Sequence, residues 1–519
     1  MSFLSKHIHT VLLCAILLIG AVLRLYMIGP YQIFLGDEGR DVLVAYGILH
    51  GKLTLLGPTA SVGGFFFGPI YYYMIAPFLW LAHYDPVGPA AMVALFATAT
   101  IYLLYRVVKD IFSPAVGLVA AFLYATSSLL VTFSRSSWNP HVVPFFVLLT
   151  VLSLFSYIKK ENKKWILLAG FFYGITFELH FVTLFFAAAV IAFIGYILWT
   201  RPLMAWIKKL IVAYLVFGAG FAVGISPIIA FELRHQFVNT RNIITFMFHS
   251  KDAGSGAQMI PTIVDVFTRI FTRGVLAFPE PVEFAHYAQW QLAVWNWSGI
   301  ILGCAAVGLF LFLLVDVRKK NRETFLKYLF VALWLAFGVV GFGFYKKNIY
   351  EYYFEFLFPV SIMLSAGLFV YLWHVNRMLR LFIPCVIVGI LVLNIFQLPF
   401  RYPPNNQVSQ TKVIAQEVLN ETNGKPYNFA LITGGNSDYA YRYYLTIWGH
   451  PPVTIDNSIV DPERRTVTDQ LLIVCESVPC SPLGYSLWEV AGFGRADIVS
   501  KTHLSVVDIY KLKHYTGPQ

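Results

Sequence analysis

The chain has 519 residues, of which 58% are apolar and 13% are charged, and its formal net charge is +11. A soluble protein of this length has no core large enough for so many apolar side chains, so the composition excludes that class and indicates a polytopic membrane protein. The basic residues lie in short clusters between apolar segments. This pattern is typical of a membrane topology signal and argues against a nucleic-acid-binding surface.

The first apolar segment, residues 8–28, is long enough to cross a bilayer as a helix. It is longer than the core of a signal peptide, and no small-residue cleavage site follows it. We therefore expect a retained signal anchor with its N-terminus in the cytoplasm of a cell with an inner or plasma membrane.

Basic clusters fall in every second loop, which predicts that those loops are cytoplasmic. They contain Lys6, Arg106, Lys109, Lys159, Lys160, Lys163, Lys164, Arg201, Lys208, Lys209, Arg318, Lys319, Lys320, Arg322, Lys327, Arg377 and Arg380. The intervening loops, at residues 134–141, 178–180, 232–290 and 345–355, then lie on the outer side. About eleven spans satisfy this alternation. Residues 165–199 exceed one span, so we predict two short helices that break near residues 177–180.

The first outer loop, residues 29–87, opens with Gly36-Asp37-Glu38-Gly39-Arg40-Asp41 directly after the first apolar segment. Charge so close to lipid is costly unless it is paired or at the water boundary, which makes this acidic motif a candidate site. An amphipathic run at 42–49 predicts an interfacial helix. The dense aromatic residues at 65–73 are typical of headgroup depth.

From residue 401 to residue 519 the sequence becomes more polar and rich in turn signals, which predicts a small extracytoplasmic α/β domain. Residues 1–400 then form the transmembrane domain. We expect a helix at 411–422 and strands at 428–433, 470–475 and 505–512. Outside the cytoplasm Cys475 and Cys480 either form a disulfide that closes a short loop or remain two thiols.

The order of these features resembles the GT-C membrane glycosyltransferases, in particular the protein O-mannosyltransferases and lipid A aminoarabinose transferases (glycosyltransferase family 39-like). The resemblance rests on Asp37-Glu38 at the start of the first outer loop, on the segment at 47–52, and on the late aromatic run at 352–359 that ends in proline. It covers about residues 1–400. The C-terminal domain carries no recognisable family motif.

The resemblance implies transfer of a sugar, with inversion, from a polyprenyl-phosphate-linked donor to an acceptor at the outer face of the membrane. An acceptor hydroxyl is a poor nucleophile, so a carboxylate must accept its proton. Asp37 is the expected base by family match, Glu38 is expected to orient hydroxyls, and Asp41 is expected to be structural. The alternatives are that Asp37 is a helix N-cap and that Arg40 and Asp41 form a paired surface cluster.

The lipid A transferases commonly carry a lysine before a Pro-Pro-Leu-like segment, whereas residues 67–70 of this chain contain no cation. The donor phosphate must therefore be held by other groups. The candidates for binding substrate or phosphate are Arg40, Arg135, His180, Arg234, Arg241, Lys346, Lys347, Tyr352 and Tyr353. Each outer-face cation is equally explained as an anchor to lipid headgroups. A lone histidine such as His180 is more often a helix-end hydrogen-bonding group.

The sequence predicts no metal site and no cofactor, because the first outer loop has no Asp-x-Asp and the histidines lack ligand spacing. The expected partners are the lipid-linked donor, membrane lipids and an acceptor that is a protein, a lipid or a glycan. Two other interpretations stay open. One is a lipid-linked-sugar transporter or flippase, although the predicted spans carry few ionisable groups. The other is a non-catalytic glycan-binding relative. The C-terminal domain is a candidate for acceptor selection.

Overall fold

The computed structural model describes residues 3–60, 63–199, 203–250, 254, 256, 258–477 and 479–517. Arg201, of the predicted cytoplasmic clusters, lies outside the described residues, as do five positions of the long outer loop. The chain divides into two compact units. The helical unit comprises Met1–Tyr26, Thr54–Tyr71 and Ala91–Pro403, and the sheet unit comprises Met27–Leu53, Tyr72–Ala90 and Pro404–Gln519.

Helices dominate the chain as far as residue 396. In chain order they are α1 (Phe3–Leu25), α2 (Ile28–Tyr31), α3 (Gly36–Leu49), α4 (Ile70–Leu81), α5 (Val87–Ile111), α6 (Pro114–Thr126), α7 (Ser128–Phe133), α8 (Val143–Lys160), α9 (Lys164–Leu179), α10 (Leu184–Ile197), α11 (Leu203–Gly224), α12 (Ser226–Arg234), α13 (Val238–His249), α14 (Met259–Thr272), α15 (Gln289–Val317), α16 (Arg322–Phe342), α17 (Phe358–Val375) and α18 (Arg377–Phe396). Short 3₁₀ turns lie at Asn139–Val142, Phe181–Thr183, Pro281–His286, Glu351–Phe354 and Pro399–Arg401.

Eight helices of the described chain are long and apolar enough to cross a membrane, and three shorter apolar helices accompany them. The protein is therefore a multi-pass membrane protein, and the count of about eleven spans stays a prediction. The predicted break in residues 165–199 is confirmed, because α9 ends at Leu179 and α10 begins at Leu184. The predicted helix at 42–49 is present within α3, which begins earlier, at Gly36, and therefore includes the acidic motif.

Within the helical unit, the ends of three predicted cytoplasmic loops meet in one charge cluster. The ammonium of Lys327 on α16 lies 3.0 Å from a carboxylate oxygen of Asp110 on α5 and 2.6 Å from Glu323. Lys159, at the end of α8, also pairs with Asp110. The three loops therefore lie on one side of the unit, as the alternation of basic clusters predicts. Which membrane face this side occupies stays a prediction.

Glycines bring α9 and α11 into backbone contact. A Cβ atom on Gly220 would lie 2.0 Å from the carbonyl oxygen of Leu167, and one on Gly170 would lie 2.0 Å from that of Phe217. Small residues that allow close approach are typical of helix pairs in membranes, where van der Waals packing supplies much of the attraction.

Gly220→Ala is expected to lower the melting temperature of the protein in detergent, because its methyl group would force α9 and α11 apart. Overpacking of this kind costs about 1–3 kcal/mol. Gly218→Ala on the same helix is the matched control, since a Cβ there has nothing within 4 Å. Equal melting temperatures for the two variants would contradict the backbone contact between α9 and α11.

The C-terminal part of the sheet unit is a four-stranded sheet flanked by helices. Its elements are α19 (Gln407–Thr422), β1 (Asn428–Ile432), α20 (Tyr439–Ile447), β2 (Gln470–Cys475), α21 (Trp488–Phe493), β3 (Ala496–Leu504) and β4 (Val507–His514). The strand order is β1-β2-β4-β3, with β1 parallel to β2 and the other pairs antiparallel. Every residue of β1 and β2 is buried. This matches the predicted α/β composition, and the domain boundary at residue 401 stays a prediction.

The cysteines differ between the two units. Cys475 and Cys480 form a disulfide, whereas Cys14, Cys304 and Cys385 on apolar helices are free thiols. Disulfides persist in oxidising compartments, so the bond agrees with the extracytoplasmic location expected for this domain.

Candidate functional site

The acidic motif forms the first turn of α3. Leu35 occupies the N-cap position, and its amide donates to Glu38 Oε2 at 3.1 Å. The cap is thus supplied by the side chain of Glu38, three residues into the helix, as in one half of a capping box. The alternative that Asp37 is the N-cap is wrong. Glu38 has a structural use that the sequence did not reveal, and its contact with substrate hydroxyls stays a prediction.

The three carboxylates of the motif differ in exposure. The side chain of Asp37 is 55% exposed, and one of its oxygens lies 2.8 Å from Arg40 Nη1. The same guanidinium donates through Nε and Nη2 to Asp41 Oδ1, at 3.0 and 2.7 Å, and Asp41 is fully buried. Arg40 and Asp41 are paired, as the alternative expects, but the pair is not a surface cluster, because Asp41 is fully buried and the Arg40 side chain is only 22% exposed. Asp37 alone of the three is presented to solvent.

Burial changes the proton affinity of the two inner carboxyls. Burial raises the pKa of Glu38 to about 7, while the hydrogen bonds from backbone amides oppose this increase and the charges of Asp41 and Asp37 add to it. Burial also raises the pKa of Asp41, although the Arg40 guanidinium lowers it. Glu38 therefore holds a proton in the folded protein at pH values where the unfolded chain has lost it.

The raised pKa of Glu38 predicts a pH-dependent stability. Glu38 stabilises the folded state below its ordinary pKa of 4.5, and this contribution is lost as the pH rises through about 7. Glu38→Gln keeps an oxygen for the Leu35 amide and cannot ionise. The melting temperature of Glu38→Gln, relative to that of wild type at the same pH, should therefore rise between about pH 5 and pH 8. The rise should correspond to a difference of up to about 3 kcal/mol in the free energy of unfolding. The exposed Glu463→Gln is the control, and a pH-independent difference for Glu38→Gln would contradict the assignment.

In the helical unit, several predicted outer loops meet in a group of rings. We call this group, consisting of Phe67, His180, Tyr352 and Tyr353, the loop cluster. The ring of His180 lies 5.4 Å from Phe67, 6.0 Å from Tyr352 and 5.2 Å from Tyr353, measured between centroids. The structure thus brings together three of the predicted substrate-binding residues. His180 Nδ1 accepts the Val182 amide at 3.3 Å, which is the helix-end role that the sequence left open.

A buried acid–base pair next to the loop cluster was not predicted. His141 Nδ1 is hydrogen-bonded to Glu355 Oε1, and both side chains are buried. The His141 ring stacks on Phe133, with centroids 4.9 Å apart. The pair links the predicted outer loops at 134–141 and 345–355, so these two loops lie on one side of the helical unit. The histidine and the carboxylate are both visible in the sequence, but 214 positions separate them.

Arg135 has a structural position at the end of α1. Its side chain is buried, and its guanidinium donates to the carbonyl oxygens of Leu23, Arg24 and Tyr26 at 2.9, 3.0 and 2.7 Å. These carbonyls belong to the end of α1, where helical residues have no partner further along the chain. These donors serve the helix end, and a phosphate contact of Arg135 stays a prediction.

The remaining predicted cations are exposed on the helical unit. They are Arg234, Arg241, Lys346 and Lys347. Exposure is compatible both with a phosphate contact and with an anchor to headgroups, so these assignments stay predictions. Within the described part of the chain, no group of three or more His, Cys, Asp or Glu side chains is placed to hold a metal ion.

Comparison with known proteins places this architecture among solved structures. ArnT from Cupriavidus metallidurans bound to undecaprenyl phosphate is similar over 100% of both chains, with 12% identity and a TM-score of 0.62. The apo state of ArnT gives a TM-score of 0.60 at 12% identity, over 98% of this chain and 99% of that one. The oligosaccharyltransferase AglB from Archaeoglobus fulgidus, in complex with an inhibitory peptide and a dolichol-phosphate, gives 0.52 at 12% identity, over 91% of this chain and 70% of AglB.

At the level of sequence, the family model described as dolichyl-phosphate-mannose-protein mannosyltransferase matches residues 67–231, which is less than half of the chain. The search of curated proteins gives no match. The structural likeness shows a shared fold. The predicted GT-C fold, with its C-terminal α/β domain, is thereby confirmed.

Proposed function

We propose that this protein transfers a sugar from a polyprenyl-phosphate-linked donor to an acceptor hydroxyl at the outer face of the membrane, with inversion. The observation that carries the proposal is the acidic motif, in which Asp37 is exposed while Glu38 and Asp41 are buried. An exposed carboxylate held at one oxygen by Arg40 retains a second oxygen that can accept a proton from an incoming hydroxyl. Asp37 is the general base in this proposal.

The shared fold supports a polyprenyl-phosphate-linked donor. The similar ArnT structure contains undecaprenyl phosphate and the similar AglB structure contains dolichol-phosphate, so this fold accommodates lipid-linked phosphates in those proteins. A phosphate leaves as a stable anion, so its departure requires cations more than a general acid. Arg40, Arg234, Arg241, Lys346 and Lys347 are the proposed sources of positive charge. The orientation that we propose has a cytoplasmic N-terminus and an extracytoplasmic C-terminal domain.

A panel of radiolabelled polyprenyl-phosphate sugars, hexoses and pentoses, tests the proposal with purified protein and membrane extract as the source of acceptors. We expect one donor of the panel to give label in a protein, lipid or glycan fraction, with release of polyprenyl phosphate. Movement of intact donor without cleavage would overturn the proposal in favour of a flippase. Stable binding of glycans without cleavage of any donor would overturn it in favour of a binding protein.

A further inference from the structure

The start of α3 is held by side chains of the C-terminal α/β domain, within the sheet unit. The amide of Gly36 donates to Asn436 Oδ1 at 2.8 Å, and the amide of Phe34 donates to Gln407 Oε1 at 2.9 Å. Both amides lie at the helix start, where no helical carbonyl is available to accept them. The residues on either side of Leu35 are thus held by partners 373 and 400 positions later in the chain.

Two glycines of the acidic motif allow this contact. A Cβ atom on Gly36 would lie 1.9 Å from Ser437 Oγ, and one on Gly39 would lie 2.3 Å from the backbone nitrogen of Ala440. Neither glycine has a positive φ, so close approach explains their presence. Asp37 therefore lies in a helical turn whose backbone packs directly against the loop before α20 and against the first residues of α20.

The side chain of Asn436 is itself locked. Its Oδ1 accepts the amides of Gly36 and Ser437, both at 2.8 Å, while its Nδ2 lies 3.3 Å from each carboxylate oxygen of Glu476. Glu476 also accepts the hydroxyls of Thr433 and Tyr441 at 2.8 and 2.9 Å. A flipped amide would point NH₂ at two N–H groups and oxygen at a carboxylate. The network therefore permits one orientation of Asn436.

We propose that Asn436 and Glu476 are positioning residues that hold Asp37 in its working geometry, which gives the C-terminal domain a part in catalysis. The inference rests on the proposed function of Asp37. A base that shifts by about 1 Å from its substrate loses rate on the order of a hundredfold. Removing one of several contacts at the start of α3 allows a smaller shift of Asp37, so the rate should fall by a smaller factor.

Asn436→Ala is expected to lower kcat for sugar transfer about tenfold with little change in the KM for the donor, since the donor contacts stay in place. Asn436→Asp is also expected to be impaired, because it places two carboxylates side by side. The double variant Asn436→Asp with Glu476→Gln exchanges the positions of the amide and the carboxylate. It should restore kcat to within about threefold of wild type. Asn420→Ala, on α19 of the same domain, is the matched control because its hydrogen bonds stay within its own helix.

Hydrogen exchange supplies a readout that does not depend on activity. The amides of residues 34–39 should exchange faster in Asn436→Ala than in wild type, and the reversed pair should return them to wild-type rates. Failure of wild type to transfer sugar would overturn only the proposed function. Wild-type kcat and wild-type exchange in Asn436→Ala would overturn the positioning role. If Asn436→Ala fails to fold, a well-folded reversed pair with unrestored kcat would overturn it as well.

Discussion

Asp37→Asn is expected to lower the rate of sugar transfer about a thousandfold while the protein keeps its melting temperature. Removal of a general base typically costs two to four orders of magnitude in rate. The side chain of Asp37 is half exposed, and Asn retains an oxygen to accept from Arg40 Nη1, so we expect little effect on folding. Initial rates with the donor identified in the panel, measured on purified protein, check this prediction.

Asp456→Asn is the matched control for that experiment, since Asp456 is an exposed aspartate of the same unit that lies outside the acidic motif. Its rate should equal that of wild type. If Asp37→Asn retains more than about a tenth of the wild-type rate, the base lies elsewhere, because the loss would then fall below the range expected for removal of a general base.

Arg40→Met is expected to have the second largest effect, on stability as well as on activity. The substitution leaves Asp41 fully buried without the guanidinium that donates to it at 2.7 Å. Removing one partner of a buried ion pair costs about 3–5 kcal/mol. The loss should appear as a lower melting temperature above about pH 7, and it should shrink as the pH falls below that value, where Asp41 takes up a proton.

The double variant Arg40→Met with Asp41→Asn separates the two effects of Arg40. Because the buried charge is removed together with its partner, most of the lost stability should return. Sugar transfer should stay impaired in the double variant, since Asp37 still lacks the cation that holds it. Full recovery of transfer would show that Arg40 serves only to neutralise Asp41.

Part of the helical unit follows from the sequence, because a helix that crosses a membrane must be long and apolar. The break between α9 and α10 was predictable from length alone. In the C-terminal domain the buried strand β2 was predicted at its observed bounds, since all six of its residues are buried. The edge strand β3 was missed. Its residues are mostly exposed and polar, as edge strands tend to be, and it therefore lacks an apolar pattern.

The candidate site was only partly predictable. The sequence identified the acidic motif, but it did not reveal which carboxylate faces solvent, because exposure depends on how α3 packs against the C-terminal domain. The partners of Arg135 were hidden for a similar reason, since they are carbonyls at the end of α1 more than 100 positions away. Asn436 and Glu476 carry no local motif. They come close to the acidic motif only because distant segments of the chain fold together.

The flippase interpretation makes a different prediction from the transferase interpretation for the same sample. The most direct test reconstitutes wild type and Asp37→Asn in vesicles that contain a polyprenyl-phosphate sugar and an acceptor. Mass spectrometry then counts intact donor, free polyprenyl phosphate and glycosylated acceptor. We predict that wild type forms free polyprenyl phosphate and glycosylated acceptor in equal amounts and that Asp37→Asn forms neither. Donor that crosses the bilayer intact, at the same rate in both proteins, would contradict a sugar transferase centred on Asp37.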